Sequence, residues 1–161
     1  MATFKVSDGI DNYIDKLQTM AAQTEGIIKK SAWEGARIVM DAVKAEANSI
    51  PVIVKGQKSG TLTGLSSAQK EDVIASLGIS RFREDGNFIN VKIGSDGYNR
   101  IRTKTWPQGQ PNAMIIRSLE TGTSFLRAYP FVSRATSKAR SKCIEAMRKQ
   151  CDEEVKKYVQ T

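Results

Sequence analysis

A chain of 161 residues, 40% hydrophobic and 26% charged, suits one soluble domain (1–161) that buries a core without disulfide staples. It contains no histidine, which excludes Ser–His and Cys–His catalysis and histidine-ligated metals, and no apolar run approaches bilayer-spanning length. Its net charge of +8 and pI of about 9.6 suit DNA or an acidic protein surface without selecting between them.

The N-terminal stretch MATFKVSDGID has early acids and no apolar segment, so no secretion signal is expected, and assembly in a cytoplasm is. Thr3-Phe4-Lys5-Val6 reads as a short edge strand. Ser7 and Asp8 then offer cap oxygens to a helix carrying Ile10, Tyr13, Ile14 and Leu17 at helical spacing. A second helix is predicted from about Thr24, with Ile28, Ala32, Gly35, Val39, Val43 and Ala47 as its apolar stripe. Its small residues suit close approach of another helix. Pro51 stops it, because the residue before a proline is pushed out of the α region.

Residues 55–64 read as an exposed loop, and 67–77 as a short helix ended by Gly78. Ile79–Arg83 and Phe88–Ile93 alternate with period two around Asp85-Gly86, which predicts a β-hairpin over about 79–93. Residues 95–111 then have no period. A loop of that length is usually functional or mobile. It interleaves Arg100, Arg102 and Lys104 with Tyr98 and Trp106, a mixture able to grip single-stranded nucleic acid. The competing reading is a solvated loop that orders against a neighbouring subunit.

Asn112 is expected to cap a short helix through Ile115, Ile116 and Leu119 that ends at Gly122. A last helix should run from about Pro130 to Tyr158, since proline suits a first helical turn. Val132, Ala135, Ala139, Cys143, Met147, Cys151, Val155 and Tyr158 form its apolar stripe, and Arg134, Lys138, Lys142, Arg148 and Lys149 contribute to a basic, solvated remainder. Cys143 and Cys151 sit about 12 Å apart along such a helix, too far to pair or share a metal, and read as buried thiols. The charge is uneven. Residues 1–50 hold six cations and seven anions, 51–130 hold eleven and six, and 131–161 hold eight and four.

The stretch SLETGTSFLRAYPF (118–131) has one glycine after a helix, and no Gly-Lys-Ser/Thr occurs. It therefore lacks a phosphate-binding loop, and it lacks Gly-x-Ser-x-Gly as well. It reads instead as a corner. Gly122 takes a left-handed conformation, Thr123 and Ser124 hydrogen-bond the freed backbone, and Phe125, Leu126, Tyr129 and Phe131 clamp the turn. Pro130 opens the next helix. Glu120 and Arg127 stay available to a partner.

Glu120-Thr121-Gly122-Thr123-Ser124, followed by Pro130-Phe131 and a long basic helix, resembles a family of tailed-bacteriophage neck proteins. This is the gene-product-ten-like family of head–tail joining, tail-completion or minor tail proteins. Thr63-Gly64-Leu65, Ser76-Leu77-Gly78-Ile79 and Val91-Lys92-Ile93-Gly94 match it in order, so the likeness covers most of the chain. Where the family often continues Pro-Phe with x-Arg-Pro-Ala, this chain has Val132-Ser133-Arg134-Ala135.

The resemblance implies an α+β fold, with long N- and C-terminal helices packed on a small antiparallel β-sheet. It implies no catalysis and no cofactor. It implies a virion protein assembled in the bacterial host, a ring of six copies that joins tail tube or sheath to the head-side connector. The interface residues expected on this reading are Arg100, Arg102, Lys104 and Trp106 in the loop, with Glu120 and Arg127 at the corner. Packaged DNA could sit in the lumen without sequence-specific contacts. The alternative is a basic nucleic-acid-binding module built on the 98–106 loop and the C-terminal helix.

Overall fold

Two long antiparallel helices, α2 (Thr24–Ala47) and α5 (Phe131–Val159), form the spine. Lys30 meets Glu154 at one end, Gly35 meets Met147 midway, and Glu46 meets Arg134 and Lys138 at the other. The computed structural model describes residues 7–53, 62–86 and 88–159. The expected strand at 3–6, the capping oxygens of Ser7 and Asp8, and most of the 55–64 loop lie outside what is described. The remaining elements are α1 (Ser7–Ala22), α3 (Ser67–Ser76), β1 (Leu77–Ile79), β2 (Arg83–Asp85), β3 (Phe88–Asn90), β4 (Ile93–Ser95) and α4 (Asn112–Thr121). The class is α+β, with long helices at either end and short antiparallel strand pairs between them.

Gly35 lets the spine close. A Cβ there would lie 2.6 Å from Met147 Cγ and 3.0 Å from Cys143 Sγ. The buried face of α2 is Ile27, Ser31, Gly35, Ala36, Met40, Val43 and Ala47, one position back from the predicted stripe over its first turns. Ile28 is exposed instead. Ser31 can take the buried place because its hydroxyl donates to the Ile27 carbonyl at 2.9 Å. On α5, Phe131, Ala135 and Ala139 are buried, while Cys143 and Cys151 are free and only half-buried.

The core lies where the end of α2, α3, α4 and the start of α5 meet, around Val43, Ile50, Val73, Leu119 and Phe131. Backbone groups at this junction are satisfied by side chains from other elements. Lys70 Nζ donates to the Asn48 and Ile50 carbonyls at 2.7 and 2.8 Å, and Tyr129 Oη donates to Ser49 O at 2.8 Å. Asn48 is the residue that closes α2, so the Lys70 cation also lies near the negative end of that helix's dipole.

α3 starts with a capping box. Ser66 Oγ accepts from Gln69 N at 3.3 Å, and Gln69 Oε1 accepts from Ser66 N at 3.2 Å. The helix does not end on Gly78. Leu77 turns extended directly into β1, and Gly78 pairs with Gly94 inside the ladder. The predicted hairpin is present and longer than 79–93. β1 pairs with β4 from Leu77↔Ser95 to Ile79↔Ile93, and β2 pairs with β3 from Arg83↔Asn90 to Asp85↔Phe88. Gly86 makes the turn at φ 58°. Residues 80–82 oppose only 91–92, a bulge between the two ladders. Ser80 bridges it, its N–H donating to Lys92 O and its Oγ accepting from Lys92 N. The ribbon leans on α2 through Trp33 and Phe82, with ring centroids 6.1 Å apart, and through Lys29 and Glu84 at 2.6 Å.

Candidate functional site

The 95–111 segment is pinned at its neck. Asn99 N donates to Gln110 O at 2.9 Å, Tyr98 bridges Pro111, and Asn112 N donates to Gly97 O at 3.1 Å. Gly109 has φ 96°, and a Cβ there would lie 1.8 Å from Asn99 O. Only glycine lets the two arms touch backbone to backbone. At the tip, Thr103 and Trp106 exchange backbone hydrogen bonds at 3.1 Å each.

Arg100 faces its own chain. Its backbone N–H donates to Asp72 Oδ2 at 2.7 Å, its Nε donates to Asp72 Oδ1 at 2.8 Å, and its Nη2 lies 3.3 Å from Glu71 Oε2. The guanidinium hydrogen bond holds the Asp72 carboxyl below the usual carboxylate range, against the opposing effect of burial, and raises the Arg100 pKa in return. Arg102 and Lys104 are exposed, with no ion pair to a described residue.

The chain turns between α4 and α5 at residues 122–130, and four details differ from the expectation. Gly122 has the positive φ of 75° but an extended ψ of 169°, so it is not a left-handed helical cap. That region is nearly restricted to glycine. Thr123 closes the turn, its Oγ1 accepting from Leu126 N at 3.1 Å and its N–H donating to Leu126 O at 2.8 Å, whereas Ser124 is simply exposed. Leu126 and Phe131 are buried, and Phe125 stands 52% exposed. The last helix starts at Phe131, one residue after Pro130, whose carbonyl accepts from Arg134 N.

Glu120 is also turned inward. Its Oε1 accepts from Val132 N at 2.7 Å and its Oε2 accepts from Ser133 Oγ at 2.8 Å, so it caps α5. Arg127 is exposed, its backbone N–H donating to Leu62 O at 2.8 Å. Asn112 does not cap α4. Pro111 holds that position, and Asn112 is buried in the first turn with its Nδ2 donating to Asp96 O at 3.3 Å.

Loop and corner meet at one groove of about 240 Å³, walled by Trp106 from the loop, Phe125 and Leu126 from the corner, Ile115 from α4, and Ile53 with Leu62. Of the residues predicted for an interface, Trp106 lines this groove. Arg102, Lys104 and Arg127 are exposed in the same two segments, while Arg100 and Glu120 are consumed by the fold.

Two features were hidden from sequence reasoning. Tyr13, Ile14 and Leu17, read as one side of a helix from their spacing, are exposed on α1, which among the described residues packs chiefly on α2 and α5. Glu154, which the sequence reading did not single out, is 4% exposed. It accepts from Lys157 at 2.5 Å and Lys30 at 2.8 Å, and those hydrogen bonds lower its pKa. Its spacing on the buried face with Val155 and Cys151 was the only available signal.

Among the described residues, no group of three or more Cys, Asp or Glu could hold a metal ion, and no helix is long and apolar enough to cross a membrane. Comparison with protein-family models, with curated proteins and with solved structures finds no match.

Proposed function

We propose that this chain is a structural virion protein of a phage or phage-tail-like neck, a tail terminator or tail-completion factor. It assembles as a ring, six copies by the family resemblance, between the tail tube or sheath and the head-side connector. Its action is geometric. It self-associates, closes the finished tail and presents a docking face to the head, and its net positive charge suits a lumen around packaged DNA.

One observation carries most of this reading. The chain displays two separate surfaces with exposed large apolar side chains, the α1 face at Tyr13, Ile14 and Leu17 and a groove of mixed polar and apolar lining edged by Trp106 and Phe125. A cyclic assembly uses heterologous contacts, in which each subunit offers two different patches. The nucleic-acid module gains less support, since Asp72 and Glu71 occupy Arg100 and Glu46 engages Arg134 and Lys138.

Light scattering and negative-stain microscopy of the purified chain test the proposal, with a closed ring as the expected product. A chain that stays monomeric at high concentration, yet binds DNA tightly with a steep loss of affinity in salt, overturns it in favour of the module.

A further inference from the structure

We infer that the outward face of the β1–β4 ribbon binds the phosphate backbone of duplex DNA, through Arg81, Arg83 and Lys92 beside a floor of paired glycines. The inference rests on the ring reading for the source of that DNA and names the surface that meets it. The two faces of the ribbon differ in kind. Ile79, Phe82, Ile89, Val91 and Ile93 are half-buried, and Ile89, Val91 and Ile93 share a cleft with Gly35 and Val39 of α2. The alternate positions Ser80, Arg83, Asn90 and Lys92 are exposed, as the two-residue period of a strand requires. Arg83 stands directly opposite Asn90 in the ladder.

The bulge adds a third cation to that side. With unbroken alternation Arg81 would turn inward with Ile79. The extra residue at 80–82 instead leaves Ser80 and Arg81 both exposed, between the half-buried Ile79 and Phe82. Ser80 Oγ accepts from Lys92 N at 2.9 Å, which fixes Lys92 across from the bulge. Arg81, Arg83 and Lys92 make no ion pair with a described residue, whereas Glu84 is drawn to Lys29 of α2. The acids near this face are Asp85 at the tip, exposed, and Asp96 beyond the base, whose Oδ1 accepts from Gly97 N at 2.7 Å.

The floor is bare backbone. Gly78 pairs with Gly94, and a Cβ at either position meets nothing within 4 Å. The two facing glycines lie in an open depression of about 390 Å³, bordered by Ser76, Ser80, Ser95 and Lys92. Glycine inside a strand suits close approach by a ligand or another backbone. Phe88, at the tip, is the one large apolar side chain standing well exposed on this face. A protein partner draws most of its affinity from buried aromatic and apolar anchors, which this face lacks near its cations. Cations and hydroxyls over bare backbone match phosphate oxygens instead, and a two-stranded ribbon fits the major groove of a duplex.

Fluorescence anisotropy of a labelled mixed-sequence duplex, titrated with the full chain over a range of salt, tests this. The ribbon variant carries Arg81→Gln, Arg83→Gln and Lys92→Gln. A comparison variant carries Arg102→Gln, Lys104→Gln and Lys142→Gln, removing the same charge from the loop and α5. All six positions are exposed, so circular dichroism should match wild type throughout. The ribbon variant should lower the slope of log affinity against log salt by about three, roughly one per lost phosphate contact. The comparison variant should keep the wild-type slope. Gly94→Val, which fills the floor without changing charge, should weaken binding. Equal slope losses in the two charge variants would mean that binding follows net charge, and the inference fails. It fails too if Gly94→Val binds as tightly as wild type, if wild type binds no DNA, or if it prefers polyglutamate, which would mark an acidic protein as the partner. Light scattering on the same samples reads assembly separately. A ring whose DNA binding ignores the ribbon sinks this inference alone, and ribbon-dependent binding by a chain that stays monomeric sinks the ring reading alone.

Discussion

The Glu120 carboxylate holds the Val132 N–H at 2.7 Å, so the last turn of α4 caps the first turn of α5. Pro130 occupies the residue before α5 and has no side-chain acceptor for the free N–H groups of that turn. Glu120 supplies one from twelve residues upstream, and its negative charge suits the positive end of the helix dipole. Glu120→Ala should therefore destabilise the chain by ~1–2 kcal/mol, the usual loss on removing an N-cap. Glu120→Gln keeps an acceptor and should lose less. Urea unfolding of the three proteins measures this, and equal stability of Glu120→Ala and wild type would remove the capping role.

Gly109 and Gly97 both have positive φ, at 96° and 73°, but only Gly109 is walled in by backbone. An alanine at position 97 meets open space and should cost only the conformational penalty, ~1–2 kcal/mol. An alanine at 109 adds a Cβ 1.8 Å from Asn99 O, so the neck of the loop must part. Gly109→Ala should exceed the Gly97→Ala penalty by at least ~1 kcal/mol and raise hydrogen exchange at Asn99 N–H. Similar losses for the two variants would mean the neck is not held as described.

Asp72 and Arg100 join the loop to α3, and the sign of their pH dependence follows from the lowered Asp72 pKa. A carboxyl with a depressed folded pKa contributes fully above its unfolded value of ~3.9. That contribution is lost as pH falls through the lower folded value. Acid should thus loosen residues 99–101 from α3 only at the low end of the carboxylate range. Arg100→Gln removes the guanidinium, so the Asp72 titration followed by carboxyl NMR should move upward toward the ordinary range. No upward movement in that variant would refute the coupling.

Local signals made the hairpin legible, because Asp85-Gly86 sits between two period-two runs and Gly86 needs its positive φ. The bulge at 80–82 was not, since it depends on the Ser80 hydroxyl reaching across to Lys92. The face of α2 was misassigned by one position because Ile28 and Ala32 look more apolar than Ser31. A buried serine is satisfied by its own helix, which hydropathy does not register. At the candidate site, cations interleaved with aromatics marked the loop, and Trp106 does line the groove. The same pattern could not say that Arg100 and Glu120 are spent internally, as their partners lie 28 residues away or belong to the next helix. Exposure of Tyr13, Ile14 and Leu17 was equally hidden, for an amphipathic helix has the same sequence whether its apolar face meets a core or another molecule.

Glu154 offers the most demanding test of the spine. Its carboxylate is nearly inaccessible and accepts from Lys30 of α2, from Lys157 and from Gln150, locking the open end of the helix pair. Removing one member of a buried pair usually costs more than the pair contributes, because the survivor loses its partner. Here the lysines remain largely exposed and can turn to water, so the loss falls mainly on the carboxylate side. Lys30→Met should therefore destabilise the chain, since Glu154 then keeps only Lys157 and Gln150. Glu154→Leu, which refills the space with apolar volume, should cost less than Lys30→Met. The double variant should recover part of the Lys30→Met loss. Urea unfolding of wild type and the three variants decides it, and strict additivity of the two single losses would mean Lys30 and Glu154 do not interact in solution.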